Sequence, residues 1–217
     1  MNSRQNILQR LRQYRSSNPV TATSESGSVG VVQVANKPEA FITAMEAAHG
    51  EIIRTSISRW QQDLFKHLQS QSINNLMVAG KGRFTEALLS NEANHSAIEV
   101  ITYDQEIEGI KEQLFHRVEA GFSIAAAGIA ETGTLILKTG PTEPRTLSLV
   151  PPVSYVWLNV DTLYQNQTEA FADKDKMLPL PTNLLLISGP SKTADIQQTL
   201  AYGAHGPKRL IILLVED

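Results

Sequence analysis

Apolar and polar positions along this chain switch between a helical and an extended period, and the switches mark its elements. Ile7, Leu8, Leu11 and Tyr14 recur at helical spacing and predict a helix over 2–16, decorated by Arg4, Arg10, Arg12 and Arg15. Residues 16–28 are rich in Ser and Thr, carry Pro19 and Gly27, and read as a linker. Val29–Val34 reads as a short strand. Pro38 opens a helix at a position where its missing N–H costs nothing, with Phe41 and Met45 four apart and His49-Gly50 ending it. Next come a strand at Glu51–Arg54 and a helix at Ser58–Ser70, with Trp60, Leu64, Phe65 and Leu68 on one face. Asn75–Ala79 is a buried strand closed by Gly80-Lys81-Gly82, followed by a short helix at Phe84–Leu89. Ile98–Thr102 is a strand. Gln105–Glu119 is a helix that turns Ile107, Ile110, Leu114 and Val118 inward.

Strand followed by helix, repeated about every 25 residues, predicts an α/β fold: a Rossmann-like, largely parallel sheet flanked by helices on both faces. The pattern changes after Gly121. Ser123–Ala127, Gly133–Lys138, Arg145–Val150 and Ser154–Val160 all read as extended. Strands this close leave no room for crossover helices of about a dozen residues, so an antiparallel β-rich section is expected around 123–160. Beyond it the pattern predicts a helix at Asp161–Ala172, a loop at Lys174–Pro181 and a buried strand at Asn183–Ser188. A helix at Thr193–Tyr202 and a last strand at Arg209–Val215 follow. The expected division is an N-terminal helix and linker, 1–28, and one α/β domain, 29–217.

Composition narrows the function classes. Of 217 residues 41% are hydrophobic and 19% charged, with a net charge of −3, which gives no argument for nucleic acid. The chain has no cysteine, which excludes disulfides, thiolate catalysis and cysteine-ligated clusters on this chain. No run reaches the roughly 18 apolar residues of a membrane span, and Met1–Ser17 lacks the apolar core of a secretory signal, so a cytoplasmic protein is expected. There is no GxGxxG after the first strand and no GxxxxGK[ST]; Lys81-Gly82 is at most a weak echo and reads as a turn. His49, His67, His95 and His116 are scattered without ligand spacing, so neither a metal nor a cofactor is expected.

Two stretches concentrate candidate chemistry. In Ser188–Asp195, SGPSKTAD, a strand is expected to pass into a helix. Gly189 admits a close backbone approach, and Ser188, Ser191 and Thr193 surround the orphan N–H groups of the helix start, a setting for an anion. The same residues also suit capping, with Asp195 complementing the dipole from the first turn. His205, in the turn AYGAHGP, is a candidate acid, base or anion ligand, or a donor to the last carbonyls of that helix. In the stretch Gly121–Pro152, Glu131 precedes a strand. If buried it is a candidate base or nucleophile. Thr132 and Thr134 offer hydroxyls, and Gly133 an unobstructed backbone. Arg145 suits bidentate recognition of a carboxylate or phosphate, or else a salt bridge to Glu143 or Glu131.

The segments AGIAETGTLIL, the downstream Arg145 with Pro151-Pro152, and ISGPSKTADIQQTLAYGAHGPKRL resemble the lactate-utilization protein C family (LutC or YkgG-like), which carries the LUD domain. The resemblance runs from about Val29 to the C-terminus. It implies a NagB/RpiA/CoA-transferase-like fold and a component of a system that oxidises L-lactate to pyruvate beside iron–sulfur protein partners. The lack of cysteine fits a cluster-free subunit or accessory protein that binds a small anion between the two stretches. Two other readings stand beside it. One is a free-standing enzyme acting on an acyl-CoA or phosphorylated small molecule, with Glu131 as nucleophile or base. The other is a ligand sensor.

Overall fold

The computed structural model describes residues 3–17, 35–90, 98–194 and 200–216; at 3, 11, 14–17, 194 and 200 the backbone alone is described. By internal contacts the chain falls into two units, Met1–Gln33 and Val34–Asp217. In the first, helix α1 spans Ser3–Ser17 and leaves Ile7 and Leu8 exposed. The expected linker and the strand at Val29–Val34 lie outside the described residues.

The second unit is built on a six-stranded sheet. Its strands are β1 (Glu51–Ser56), β2 (Asn75–Ala79), β3 (Glu99–Tyr103), β4 (Ala120–Ile124), β7 (Val153–Asn159) and β12 (Arg209–Glu216), in the order β1-β12-β7-β4-β2-β3. Every pairing is parallel. Side chains of successive residues point to opposite faces of the sheet, so each face takes its own layer. On one face Leu76, Val78, Phe122, Tyr155, Trp157 and Leu213 meet helices α3 (Trp60–Ser70) and α4 (Arg83–Ser90). On the other, Val156, Leu158, Ile212 and Leu214 meet Phe41 and Met45 of α2 (Lys37–Ala47), and Met77 and Ala79 meet α5 (Ile107–His116). Asn36 caps α2, its Oδ1 accepting from Glu39 N.

The β-rich section is a second, mixed sheet of four strands in the order β8-β5-β6-β9: β5 (Ala127–Ile129), β6 (Thr134–Lys138), β8 (Leu163–Tyr164) and β9 (Leu184–Ile187). The strand expected at Ser123–Ala127 is in fact split between the two sheets. Ala125 N donates to Trp157 O of the first sheet, and the next amide, Ala126 N, donates to Ile136 O of the second. Side chains as small as these alanines let the chain change layers there.

Four expected elements are replaced by others in whole or in part. Arg145–Val150 is not extended: Arg145–Leu149 forms a short helix, α6, packed on β4, because Gly121 offers no side chain where Leu147 O approaches. Asp161–Ala172 divides into a 3₁₀ turn at Val160–Thr162, strand β8, and helix α7 at Gln167–Ala172 with Asn166 as its cap. One turn of helix, α8, occupies Lys174–Met177 at the start of the expected loop. The expected helix Thr193–Tyr202 gives way at both ends to strands, β10 (Lys192–Ala194) and β11 (Leu200–Tyr202), paired antiparallel. β9 lies at the edge of the small sheet and is only partly buried, with Leu186 exposed.

Candidate functional site

The two stretches singled out by sequence do meet. Thr132 Oγ1 lies 2.7 Å from Thr134 Oγ1, which lies 2.7 Å from Ser188 Oγ. This hydroxyl chain sits by the end of α2: Gly133 has φ 59° and a Cβ there would come 2.5 Å from Met45 N, while Gly189 packs on Ala48 O. Ser191 N donates to Pro207 O, and Ser191 O accepts from Gly203 N, which draws the turn of His205 beside Ser191. With β10 where the expected helix was to begin, Ser188, Ser191 and Thr193 surround no helix start among the described residues, and His205 is an exposed turn residue that follows β11. Thr193 is exposed on β10; Asp195 lies outside the described residues. Glu131 is exposed, its backbone N–H donating to Gln165 O. Arg145 stands apart on α6, with Nη1 3.5 Å from Asn183 Oδ1, and makes no ion pair among the described residues. Among those residues, too, no three His, Asp or Glu converge on a point that could hold a metal ion.

A different place gathers more chemistry. Strands β2 and β4 are neighbours, and the chain leaves their carboxyl ends toward opposite faces: β2 passes into α4, β4 into the small sheet. Open α/β sheets bind ligands in the crevice such a divergence creates. Here it is a cavity of about 350 Å³, lined by Lys81, Arg83, Phe84, Ile124, Lys138 and Glu143 among others. A second, more open hollow of about 570 Å³ flanks Lys81 toward Tyr103, Asp104 and Pro144.

Glu143 is the unusual member. It is 7% exposed, one of the few buried charged or polar residues of the described chain. Its Oε2 accepts from Ile124 N at 3.0 Å, and its Oε1 has no hydrogen-bond partner among the described residues. Burial pushes its carboxyl up to about 7; the Ser123 hydroxyl and the Ile124 N–H draw it back only in part. Ser123 stands beside the carboxyl without meeting hydrogen-bond geometry. A carboxyl poised near neutrality can both give and take a proton at physiological pH.

Sequence reasoning entered Glu143 as no more than a partner for Arg145 and read Lys81 as a turn residue. A signal did exist for Lys81 and Arg83: GKGR at the carboxyl end of a buried strand, opening a helix. For Glu143 there was none, since its burial comes from segments far away in the chain.

Comparison with known proteins agrees with this architecture. The LUD domain family model matches residues 38–215. An uncharacterized protein of Neisseria meningitidis serogroup B is 42% identical over 180 residues, covering 81% of this chain and 75% of its own. Lactate utilization protein C of Halalkalibacterium halodurans is 28% identical over 173 residues, 78% of this chain and 74% of its own. Among solved structures, a DUF162 family protein from Deinococcus radiodurans superposes with a TM-score of 0.59 at 19% identity, covering 84% of this chain and 98% of that one. That likeness bears on the fold alone. The family model, spanning nearly all of the second unit, is decisive: the chain belongs to the LUD domain family.

Proposed function

We propose that this protein is a component of the oxidation of L-lactate to pyruvate, acting as a cluster-free subunit or accessory protein that binds a small anion and docks on iron–sulfur protein subunits in the cytoplasm. One observation carries the reading: relatives named lactate utilization protein C align with it along 78% and 77% of the chain. A chain without cysteine cannot ligate a cluster through thiolates, so partners would carry the electrons. For the ligand, the cavity by Glu143 is favoured over the hydroxyl chain of Thr132, Thr134 and Ser188, whose members already satisfy one another. Deleting the gene is expected to stop growth on L-lactate, and a plasmid copy to restore it. Normal growth with normal lactate oxidation in the deletion strain sinks the proposal.

Glu143 favours a second reading, a free-standing enzyme acting on an acyl-CoA or phosphorylated small molecule. In it the buried Glu143, rather than the exposed Glu131, supplies the acid or base. Turnover by the purified chain without partners, abolished by Glu143→Gln and kept by Glu131→Gln, would select it.

A further inference from the structure

The lining of the β2/β4 cavity combines apolar and cationic side chains, with the Arg83 guanidinium 4.8 Å over the Phe84 ring. Phe84, Phe122 and Ile124 give an apolar wall; Lys81 and Arg83 bring positive charge from the turn between β2 and α4. The start of α4 adds to that charge. Its first helical hydrogen bond runs from Glu86 N to Gly82 O, so the N–H groups of Arg83, Phe84 and Thr85 precede the helical ladder. Independently of the helix start, Glu143 lines the same cavity, buried, with one carboxyl oxygen unpartnered. A concave site with apolar lining, convergent polar groups and a buried, unpaired polar atom beside it marks a candidate ligand site.

We propose that this cavity binds a small organic monoanion with a short apolar tail, its charged end at Lys81, Arg83 and the start of α4, its tail on Phe84, Phe122 and Ile124. The assignment gives the anion of the proposed function its site and class, and rests on that part of the reading alone. Glu143 sets the charge of the cavity: ionised it opposes the anion, neutral it does not. The other charged groups lining the cavity are Lys81 and Arg83 on one side and Lys138 of β6, whose Nζ also donates to Lys176 O. Arg145 of α6 turns to Asn183, and among the described residues no histidine lines the cavity. A bound anion favours neutral Glu143, so binding takes up a proton and weakens as pH rises through about 7.

Calorimetric titration of the full chain with acetate, L-lactate, pyruvate and butyrate at pH 6 and pH 8 tests this. Expected is saturable binding of butyrate, tighter than acetate, at pH 6, weakened about tenfold at pH 8. Glu143→Gln is expected to bind alike at both pH values, and Lys81→Ala to lose severalfold at both. Lys81 is exposed, so its variant keeps the test open should the Glu143 variant fail to fold. No saturable binding of any of the four anions at pH 6, or a tenfold pH effect that persists in Glu143→Gln, overturns the site. Butyrate binding no tighter than acetate overturns the apolar tail. Growth on L-lactate is read separately. A deletion strain that fails to grow, with a pure chain that binds none of the four, removes the site and leaves the lactate reading. Binding with normal growth does the reverse.

Discussion

Glu143 sits in a tight turn, its backbone exchanging hydrogen bonds with Gly140, and its carboxyl is held over the end of β4 by Ile124 N. Because burial raises its pKa to about 7, the folded chain holds this proton where the unfolded chain has lost it. Stability from this group is therefore full below the unfolded value of 4.5 and lost as pH rises toward 7. Glu143→Gln removes that dependence. The variant is expected to gain on the wild type by roughly 3 kcal/mol between pH 5 and pH 8, read from urea unfolding at each pH. Gly133 makes a simpler case. Its left-handed backbone and the 2.5 Å approach to Met45 N leave no room for a side chain. Gly133→Ala should cost about 2 kcal/mol or more, seen as a lower urea midpoint at unchanged slope. Neither environment is written locally. A glycine before a strand is visible in ETGT, but not that α2 lies against it, and a glutamate between prolines looks solvated until distant segments cover it.

At the scale of elements, α6 is what brings Glu143 to its place, and α6 can lie on β4 because Gly121 is a glycine. A Cβ at 121 would stand 2.4 Å from Leu147 O, which is backbone and cannot swing aside. Gly121→Ala is expected to shift α6 and loosen the Glu143–Ile124 bond. Hydrogen exchange checks this: the Ile124 amide should exchange faster than in the wild type, while amides in the centre of β12 keep their protection. The elements with at least two turns or a full buried strand were legible, α3, α5, β2 and β12 among them, because their apolar period repeats often enough to be recognised. The short ones were not. α6 has five residues, β8 two, and β10 and β11 three each, less than the pattern needs to tell a helix from a strand. Pairing between Lys192 and Tyr202 outweighs the helical look of that segment, a tertiary override of local preference.

Across the whole second unit, the two ends of the large sheet do different work. At the amino end Arg209 grips both oxygens of Glu51 at 2.8 Å and also bonds Gln71, and His67 Nδ1 meets Tyr155 OH at 2.8 Å. Burial lowers the pKa of His67, so the unfolded chain binds this proton more readily. Its contribution is full above the unfolded value of 6.5 and lost as pH falls through it. Glu51, held low by the Arg209 fork, adds a loss further down, in the carboxylate range. Between pH 7 and pH 5 the wild type should thus lose stability relative to His67→Gln, opposite in sign to Glu143. Urea midpoints of both variants across that range separate the two groups. At the carboxyl end Arg54 of β1 ties to Glu216 of β12 and to Glu39 of α2, while between β2 and β4 the same end opens as the cavity. The sequence by itself determined the α/β alternation, the long elements, the break in pattern after Gly121 and the family, because these reside in periods and motifs carried by contiguous residues. The tertiary structure alone decided that the break is a second sheet, that Lys192–Ala194 and Leu200–Tyr202 pair as strands, and that Glu143 is buried where Glu131 is exposed. Burial and pairing are set by segments distant in the chain, and no local pattern records them.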